Sequence, residues 1–349
     1  MKEAEPTPRA LGYAMPAEWE PHEATWISWP DPAGQSFPDS YDRVVPALLS
    51  MATAIAESEI LRINVRSTEQ EREVRSLLSS VAPMERVEFY PIPTNEPWCR
   101  DHGPIFVKRA ASPTLAINDF GYNAWGGKYP PFDADDVVPT KIAGLLQLPL
   151  FLPGFILEGG SVDPNGAGAL LTTESCLLHP NRNPGLSRAG IERGLRDYLG
   201  VDQILWLGDG IEGDDTDGHV DDISRFVSRS TVVTVTEPDT GDCNHRPLEA
   251  NLQRLRGMKL ADGTPLTVVE LPMPARIDRE ELRLPASHAN FYIANSAVLL
   301  PAFGGSSDEV AASLLGDLFP NRKIIPIDCR ELIWGLGAFH CLTQQQPAT

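Results

Sequence analysis

Five short segments set ionisable side chains beside glycine or proline, directly after or between strand-like runs, where a rigid element can aim a reactive group from a loop. The first is Glu96-Pro97-Trp98-Cys99-Arg100-Asp101-His102-Gly103-Pro104, which also reads as a solvated turn. The second is Leu157-Glu158-Gly159-Gly160-Ser161, where Glu158 is either a turn residue or a carboxylate aimed into a cavity. Its two glycines would let a backbone or a ligand approach closely. The third is Gly213-Asp214-Asp215-Thr216-Asp217-Gly218-His219-Val220-Asp221-Asp222. On an extended strand His219 and Asp221 would face the same side, bringing a nitrogen base and a carboxylate into one pocket. So many aspartates also suit calcium or magnesium, but the EF-hand spacing with its terminal Glu is absent, as is a second His at ligand spacing, and no metal is expected.

The fourth segment, Ala286-Ser287-His288-Ala289-Asn290-Phe291, enters a strand, and Asn290 could orient a catalytic group or form a turn. The fifth runs from Trp334-Gly335-Leu336-Gly337-Ala338-Phe339-His340-Cys341 into Leu342-Thr343-Gln344-Gln345-Gln346-Pro347. A lone Cys is commonly a small buried hydrophobe. Cys341, however, follows a glycine-punctuated loop and leads a polar run, where a core residue is not expected. Adjacent His340 would point to the opposite face of a strand, which leaves distant His219 as the leading base for a Cys341 nucleophile.

The elements that must position these groups alternate between amphipathic helices and short β-rich runs. Val45, Leu48, Leu49, Ala52, Ile55 and Ala56 trace one helix face, with Pro46 expected in its first turn. The strand Leu61–Val65 follows, then a helix opened by a Ser67/Gln70 capping box, then the strand Val87–Ile92. Helices near Ser187–Leu199 and Leu248–Leu255 precede strands Gln203–Leu207 and Leu266–Leu271. Ser306 and Glu309 are expected to cap a last helix before Lys323–Ile327. Shorter runs (Ala24–Trp29, Ile105–Val107, Leu115–Ile117, Ala169–Thr172, Arg225–Val227, Thr231–Thr236, Phe291–Ala294, Ala297–Leu300) are often paired, as in hairpins. A doubly wound sheet would alternate β and α strictly and carry GxGxxG after its first strand, and neither is found. An α/β chain of several β-rich modules around a common axis fits better.

Composition narrows the partners. With 29 Lys+Arg against 48 Asp+Glu the net charge is −19, which repels phosphate backbones and disfavours nucleic acid. The same field would concentrate a cationic substrate, or it serves solubility alone. No stretch approaches the ~20 apolar residues of a membrane span, and residues 1–20 hold no apolar run of signal-peptide length. The five cysteines are scattered, without a CxxC pair, which argues against a disulfide framework or structural zinc and fits a reducing cytoplasm.

Taken together and in order, the five segments and the opening Met15-Pro16-Ala17-Glu18-Trp19-Glu20-Pro21-His22 resemble the agmatine deiminase and Porphyromonas-type peptidylarginine deiminase family, within the guanidino-group-modifying superfamily. The resemblance spans nearly the whole chain. It implies a pseudo-fivefold α/β propeller of the pentein type, with residues 1–349 forming a single catalytic domain of about five ββαβ-like modules. By the same carry-over Cys341 attacks the guanidinium carbon, His219 moves protons and Glu158 orients substrate and imidazole. Asp101 and Asp221 grip the guanidinium, whose planar N–H fork pairs with carboxylates, and Trp98 and Asn290 join them as substrate-binding residues. No cofactor is implied, the partner is a small cationic guanidinium compound, and a homo-oligomer is left open. The family's Gly-Gly-Gly-Asn-Ile-His-Cys stretch becomes Gly335-Leu336-Gly337-Ala338-Phe339-His340-Cys341, so Leu336, Ala338 and Phe339 depart from the pattern beside the nucleophile.

The reaction expected is hydrolysis of agmatine to N-carbamoylputrescine and ammonia through a covalent Cys intermediate, a step toward putrescine. The alternatives are a peptidylarginine or arginine deiminase, an amidinotransferase, a metal-dependent hydrolase on the Asp-rich loop, and a non-catalytic polyamine-binding protein.

Overall fold

The computed structural model describes residues 6–349; the first five residues of the N-terminal stretch read above lie outside the described residues. The first long helix, Tyr41–Ala56, starts a turn earlier than its apolar spacing predicts, because Tyr41 and Val44 extend the buried stripe of Leu48, Met51 and Ile55. Pro46 therefore lies inside the helix and not in its first turn. Its missing N–H leaves the Asp42 carbonyl without the usual helical donor. Ser67 caps the helix Thr68–Leu78 by accepting from Gln70 N–H at 3.2 Å. The Gln70 side chain returns the bond one residue early, to Arg66 N–H at 2.8 Å. The expected Ser306 cap is not formed: Gly305 is the cap residue, and Asp308 holds the entry by accepting from Gly304 N–H at 2.7 Å.

One unit recurs around the molecule: an antiparallel strand pair, a crossover, and a third strand parallel to the second. The second module pairs Ile105–Lys108, Leu115–Asn118 and Leu150–Phe151. The third pairs Val162–Pro164, Ala169–Thr173 and Gln203–Leu207. The fourth pairs Ser224–Phe226, Thr231–Thr236 and Thr267–Pro272. The fifth pairs Tyr292–Ile293, Ala297–Ala302 and Lys323–Asp328. In the first module the opening strand comes from the far end of the chain. Thr343–Pro347 runs antiparallel to His22–Ser28, which lies parallel to Ile60–Asn64, with Val87–Tyr90 added at the edge. The helices Tyr41–Ala56, Val138–Leu146, Arg188–Leu199, His245–Gly257 and Ser306–Leu318 supply the crossovers. This fivefold repetition is the pseudo-fivefold α/β propeller that the sequence suggests.

Two elements go beyond the sequence reading. The helix Val138–Leu146 packs Val138, Ile142 and Ala143 against the sheet, a stripe too short to register as a period. The polar run Thr343–Gln346 is a buried strand, and Cys341 before it is buried too, where the sequence leads one to expect no core residue. An unpaired buried amide group costs ~1–3 kcal/mol, and distant partners satisfy most of this run, although Gln344 Oε1 has none among the described residues. Gln346 Oε1 accepts from Trp26 Nε1–H at 3.0 Å and Arg62 Nη1–H at 2.6 Å. Gln345 Oε1 accepts from Arg100 Nη1–H at 2.7 Å, and Gln344 Nε2–H donates to the Pro104 carbonyl at 2.8 Å.

Candidate active site

Each of the five segments singled out in the sequence places its key side chains two to five residues ahead of the first strand of one module. Asp101 sits on the helical turn Cys99–His102, before Ile105–Lys108. Glu158 precedes the turn Gly159–Ser161 that leads into Val162–Pro164. His219 precedes, and Asp221 lies within, the turn Val220–Asp222 before Ser224–Phe226. Asn290 stands before Tyr292–Ile293, and Cys341 lies on the turn Phe339–Leu342 before Thr343–Pro347. Pseudo-symmetry thus carries five sequence-distant positions to one centre.

Two local expectations are corrected. His219 and Asp221 do not share a strand face; a tight turn brings both inward instead. His340 does not turn away from Cys341, because Phe339–Leu342 is helical. His340 Nδ1 lies 2.6 Å from Asp221 Oδ2, and its Nε2 lies 2.8 Å from Glu18 Oε2.

At the centre, the Cys341 sulfur lies 3.7 Å from Asp221 Oδ2 and receives the Asn290 Nδ2–H at 3.0 Å. The same Asn290 amide donates to Asp222 Oδ1 at 2.9 Å, so Asn290 contacts the thiol and is not part of the cleft wall. Asp101 accepts from Gly160 N–H at 3.0 Å and from Trp125 Nε1–H at 3.0 Å. His219 stands among three carboxylates without bonding any: Nδ1 is 3.7 Å from Asp101 and 4.0 Å from Asp221, and Nε2 is 4.0 Å from Glu158. Both ring nitrogens, Glu158 Oε2 and Asp221 Oδ1 are buried without a hydrogen-bond partner among the described residues. Buried polar atoms are rarely left so, and the two free carboxylate oxygens, Glu158 Oε2 and Asp221 Oδ1, suit a ligand rich in N–H donors. Gly160 is required here, since a Cβ would lie 2.6 Å from His219 Nδ1 and 2.9 Å from Asp101 Oδ1.

Burial and charge together set the protonation states. Burial pushes the Cys341 thiol well above its usual range, and Asp221, Asp222 and Asp101 push it further, against the Asn290 donor. Burial disfavours the His219 imidazolium, but Asp101, the Cys176 sulfur and Asp221 outweigh it and hold the ring well above the usual histidine value. Burial also lifts the Asp101 carboxyl to about 6, with Asp221 and Glu158 adding and His219 opposing. Asp221 goes the other way: burial would raise it, yet His340, His219 and Arg225 keep it below the ordinary aspartate range.

A second layer escaped the sequence reading. Arg182, fully buried at its guanidinium, donates Nε–H to Glu158 Oε1 at 2.6 Å and Nη1–H to Asp217 at 2.7 Å, leaving the other Glu158 oxygen to face His219. Glu18 collects His340, Arg225 at 2.8 Å and Arg100 at 3.3 Å, so Arg100 is tied into the scaffold. Only the place of Glu18 in the N-terminal motif could have hinted at this; Arg182 and Arg225 carry no local signal.

Above the centre opens a cleft. Trp98, Trp125, Tyr129 and Trp334 wall it, Glu96, Asp101 and Asp215 give it negative charge, and Cys341 lies at its base. Among the described residues no Lys or Arg lines it. Leu336, at the rim, adopts the left-handed backbone (φ 71°), where glycine is the unstrained choice.

The chain is similar to known proteins over nearly its whole length. The agmatine deiminase of Pseudomonas aeruginosa (strain LESB58) is 37% identical over 98% of this chain and 97% of its own length. The agmatine deiminase structure of Enterococcus faecalis superposes with a TM-score of 0.92 at 34% identity, covering 99% of this chain and 98% of that one. An amidinotransferase from Microseira wollei, 12% identical with a TM-score of 0.51, shares the fold. Residues 14–347 match the family described as Porphyromonas-type peptidyl-arginine deiminase. The chain belongs to that family.

Proposed function

We propose that this protein is an agmatine deiminase, a hydrolase of amidine C–N bonds in which all five modules act as one catalytic unit. The observation that carries the reading is the convergence of the Cys341 thiol, the His219 imidazole and the carboxylates of Asp101, Glu158 and Asp221 beneath an aromatic, acidic cleft. A guanidinium has the planar set of N–H donors that the unpartnered oxygens of Glu158 and Asp221 lack.

The chemistry follows from the charges. In the free site the thiol keeps its proton and His219 is cationic. An entering guanidinium offsets the carboxylates that hold the thiol proton, which is then lost to solvent. The thiolate adds to the guanidinium carbon, and the C=N electron pair moves onto nitrogen. His219 gives its proton to the departing nitrogen, which leaves as ammonia, and a thiouronium-like adduct on Cys341 remains. Neutral His219 then takes a proton from water as it adds to the same carbon. Collapse expels the sulfur, which takes up the hydroxyl proton and returns to the thiol, and yields N-carbamoylputrescine, a precursor of putrescine. No step draws on a cofactor.

The cleft walls support agmatine over free arginine. Arginine would bring an α-carboxylate to a cleft with acids and no lining base among the described residues, whereas agmatine brings an ammonium and an aliphatic chain that suits the tryptophans. Peptidylarginine, which has no free α-carboxylate at internal positions, is the second reading. Its test is product analysis with agmatine, arginine and a blocked arginyl peptide at equal concentration. N-carbamoylputrescine should form with kcat/KM far above the others; faster release of citrulline or peptidylcitrulline would overturn the substrate and leave the deiminase chemistry standing. EDTA should leave turnover unchanged, and a need for an added divalent ion would replace this reading with a metal-dependent hydrolase. A reducing cytoplasm is the setting in which such a thiol works, and no helix among the described residues is long and apolar enough to cross a membrane.

A further inference from the structure

Behind His219, on the side away from Asp101, lies a thiol that the reaction does not use. Cys176, Glu158 and His219 are each fully buried, and their donor atoms lie within 4.8 Å of one another. We propose that these three side chains form an inhibitory site for zinc or a similarly soft divalent cation. Thiolate, imidazole and carboxylate together are a zinc donor set, whereas magnesium and calcium prefer oxygen ligands. Glu158 Oε2 and His219 Nε2 have no partner among the described residues and stand 4.0 Å apart. Tetrahedral zinc holds its ligand atoms roughly 3.5 Å from one another, so the side chains need close by only a fraction of their length.

The supporting layer is already built. A metal-bound histidine commonly directs its other ring nitrogen at a carboxylate, and His219 Nδ1 lies 3.7 Å from Asp101 Oδ1. Arg182 fixes Glu158 through the oxygen that the metal would not use. Asp101 and Asp221 add the negative field a dication requires. A second cluster, Asp221, Asp222 and Cys341, is less suited although its donor atoms are as close. Asn290 Nδ2–H already bonds both Asp222 and the Cys341 sulfur, and His340 takes Asp221 Oδ2. Bound zinc removes His219 from proton transfer and Glu158 from the guanidinium, so it competes with a cationic substrate and a chelator restores activity.

The test reads metal binding apart from turnover. The full-length protein and its Cys176→Ala and Cys341→Ser variants are titrated with Cd²⁺, following the ultraviolet thiolate-to-cadmium charge-transfer band, and with Zn²⁺ by calorimetry. Cys341→Ser should keep one equivalent and the band, whereas Cys176→Ala should lose the band and bind zinc at least ~100-fold more weakly. Zinc inhibition of turnover, measured for Cys176→Ala against its own metal-free rate, should weaken by a similar factor. Cys176→Ser repeats the comparison if the alanine protein does not fold. A band kept in Cys176→Ala and lost in Cys341→Ser would assign the metal to the nucleophile and overturn the proposal. So would loss in both variants, or no binding to the unsubstituted protein at millimolar metal.

Discussion

Replacing Asp101 by Asn tests whether this carboxylate is a charge partner for substrate or only a structural acceptor. Its oxygens accept from Gly160 N–H and Trp125 Nε1–H, each at 3.0 Å. An asparagine can keep one of these bonds with its carbonyl and must point its amide at the other donor. Two donors face to face leave a buried group unsatisfied, at ~1–3 kcal/mol. The charge matters more. Two unit charges about 4 Å apart interact by ~4 kcal/mol at an effective dielectric of about 20. A guanidinium hydrogen-bonded to the Asp101 carboxylate carries its charge about 4 Å from it, so that range applies. A loss of that size lowers kcat/KM by about 10³-fold. The assay is steady-state ammonia release from agmatine, with far-ultraviolet dichroism and thermal melts confirming that the variant is folded. Asp215→Asn at the cleft wall, where the carboxylate accepts from Tyr129, serves as a comparison and should raise KM by about tenfold or less. A folded Asp101→Asn enzyme within tenfold of the parent kcat/KM would remove Asp101 from the guanidinium site.

Three further outcomes follow from the geometry. Cys341→Ser should abolish turnover while agmatine still raises the melting temperature, and iodoacetamide should inactivate the parent through one adduct that a substrate analogue prevents. Substantial residual turnover in the serine variant would end the covalent scheme. Arg182→Met leaves the buried Glu158 without its bonded cation, while Asp217 keeps Lys128 at 2.8 Å, so unfolding free energy should fall by ~3–5 kcal/mol, read by urea titration. A loss under about 1 kcal/mol would show that the pair is solvated. Asp135, beneath the cleft wall, is pushed up to about 7, chiefly by burial, and its Oδ2 lacks a partner among the described residues. Because the native pKa exceeds the unfolded one, the native state holds the proton more tightly, and stability declines as pH rises from about 4 to about 7. That decline is on the order of 4 kcal/mol. Asp135→Asn, whose amide fills the unpartnered side, should remove it in denaturant titrations across that window. A difference between parent and variant that stays flat with pH would refute the assignment.

The residues proposed to carry the chemistry were legible in the sequence because their signals are local. A carboxylate before paired glycines, a histidine inside an aspartate-rich turn and a cysteine after a glycine loop are visible within a few positions, as is the apolar stripe of Leu48, Met51 and Ile55. Tertiary structure decided what has no local signature. Thr343–Gln346 is polar by composition yet buried, because Trp26, Arg62 and Arg100 reach it from hundreds of residues away. His340 faces Asp221 because its turn is helical, and backbone conformation there is set by packing around the centre of the propeller. Glu18, Arg182 and Arg225 read as surface charges until the fold removes water and pairs them. Side-chain type and spacing set which reactions a chain can attempt. Desolvation and long-range charge pairing set which groups meet and which proton each one holds, and both exist only once the modules have closed around the site.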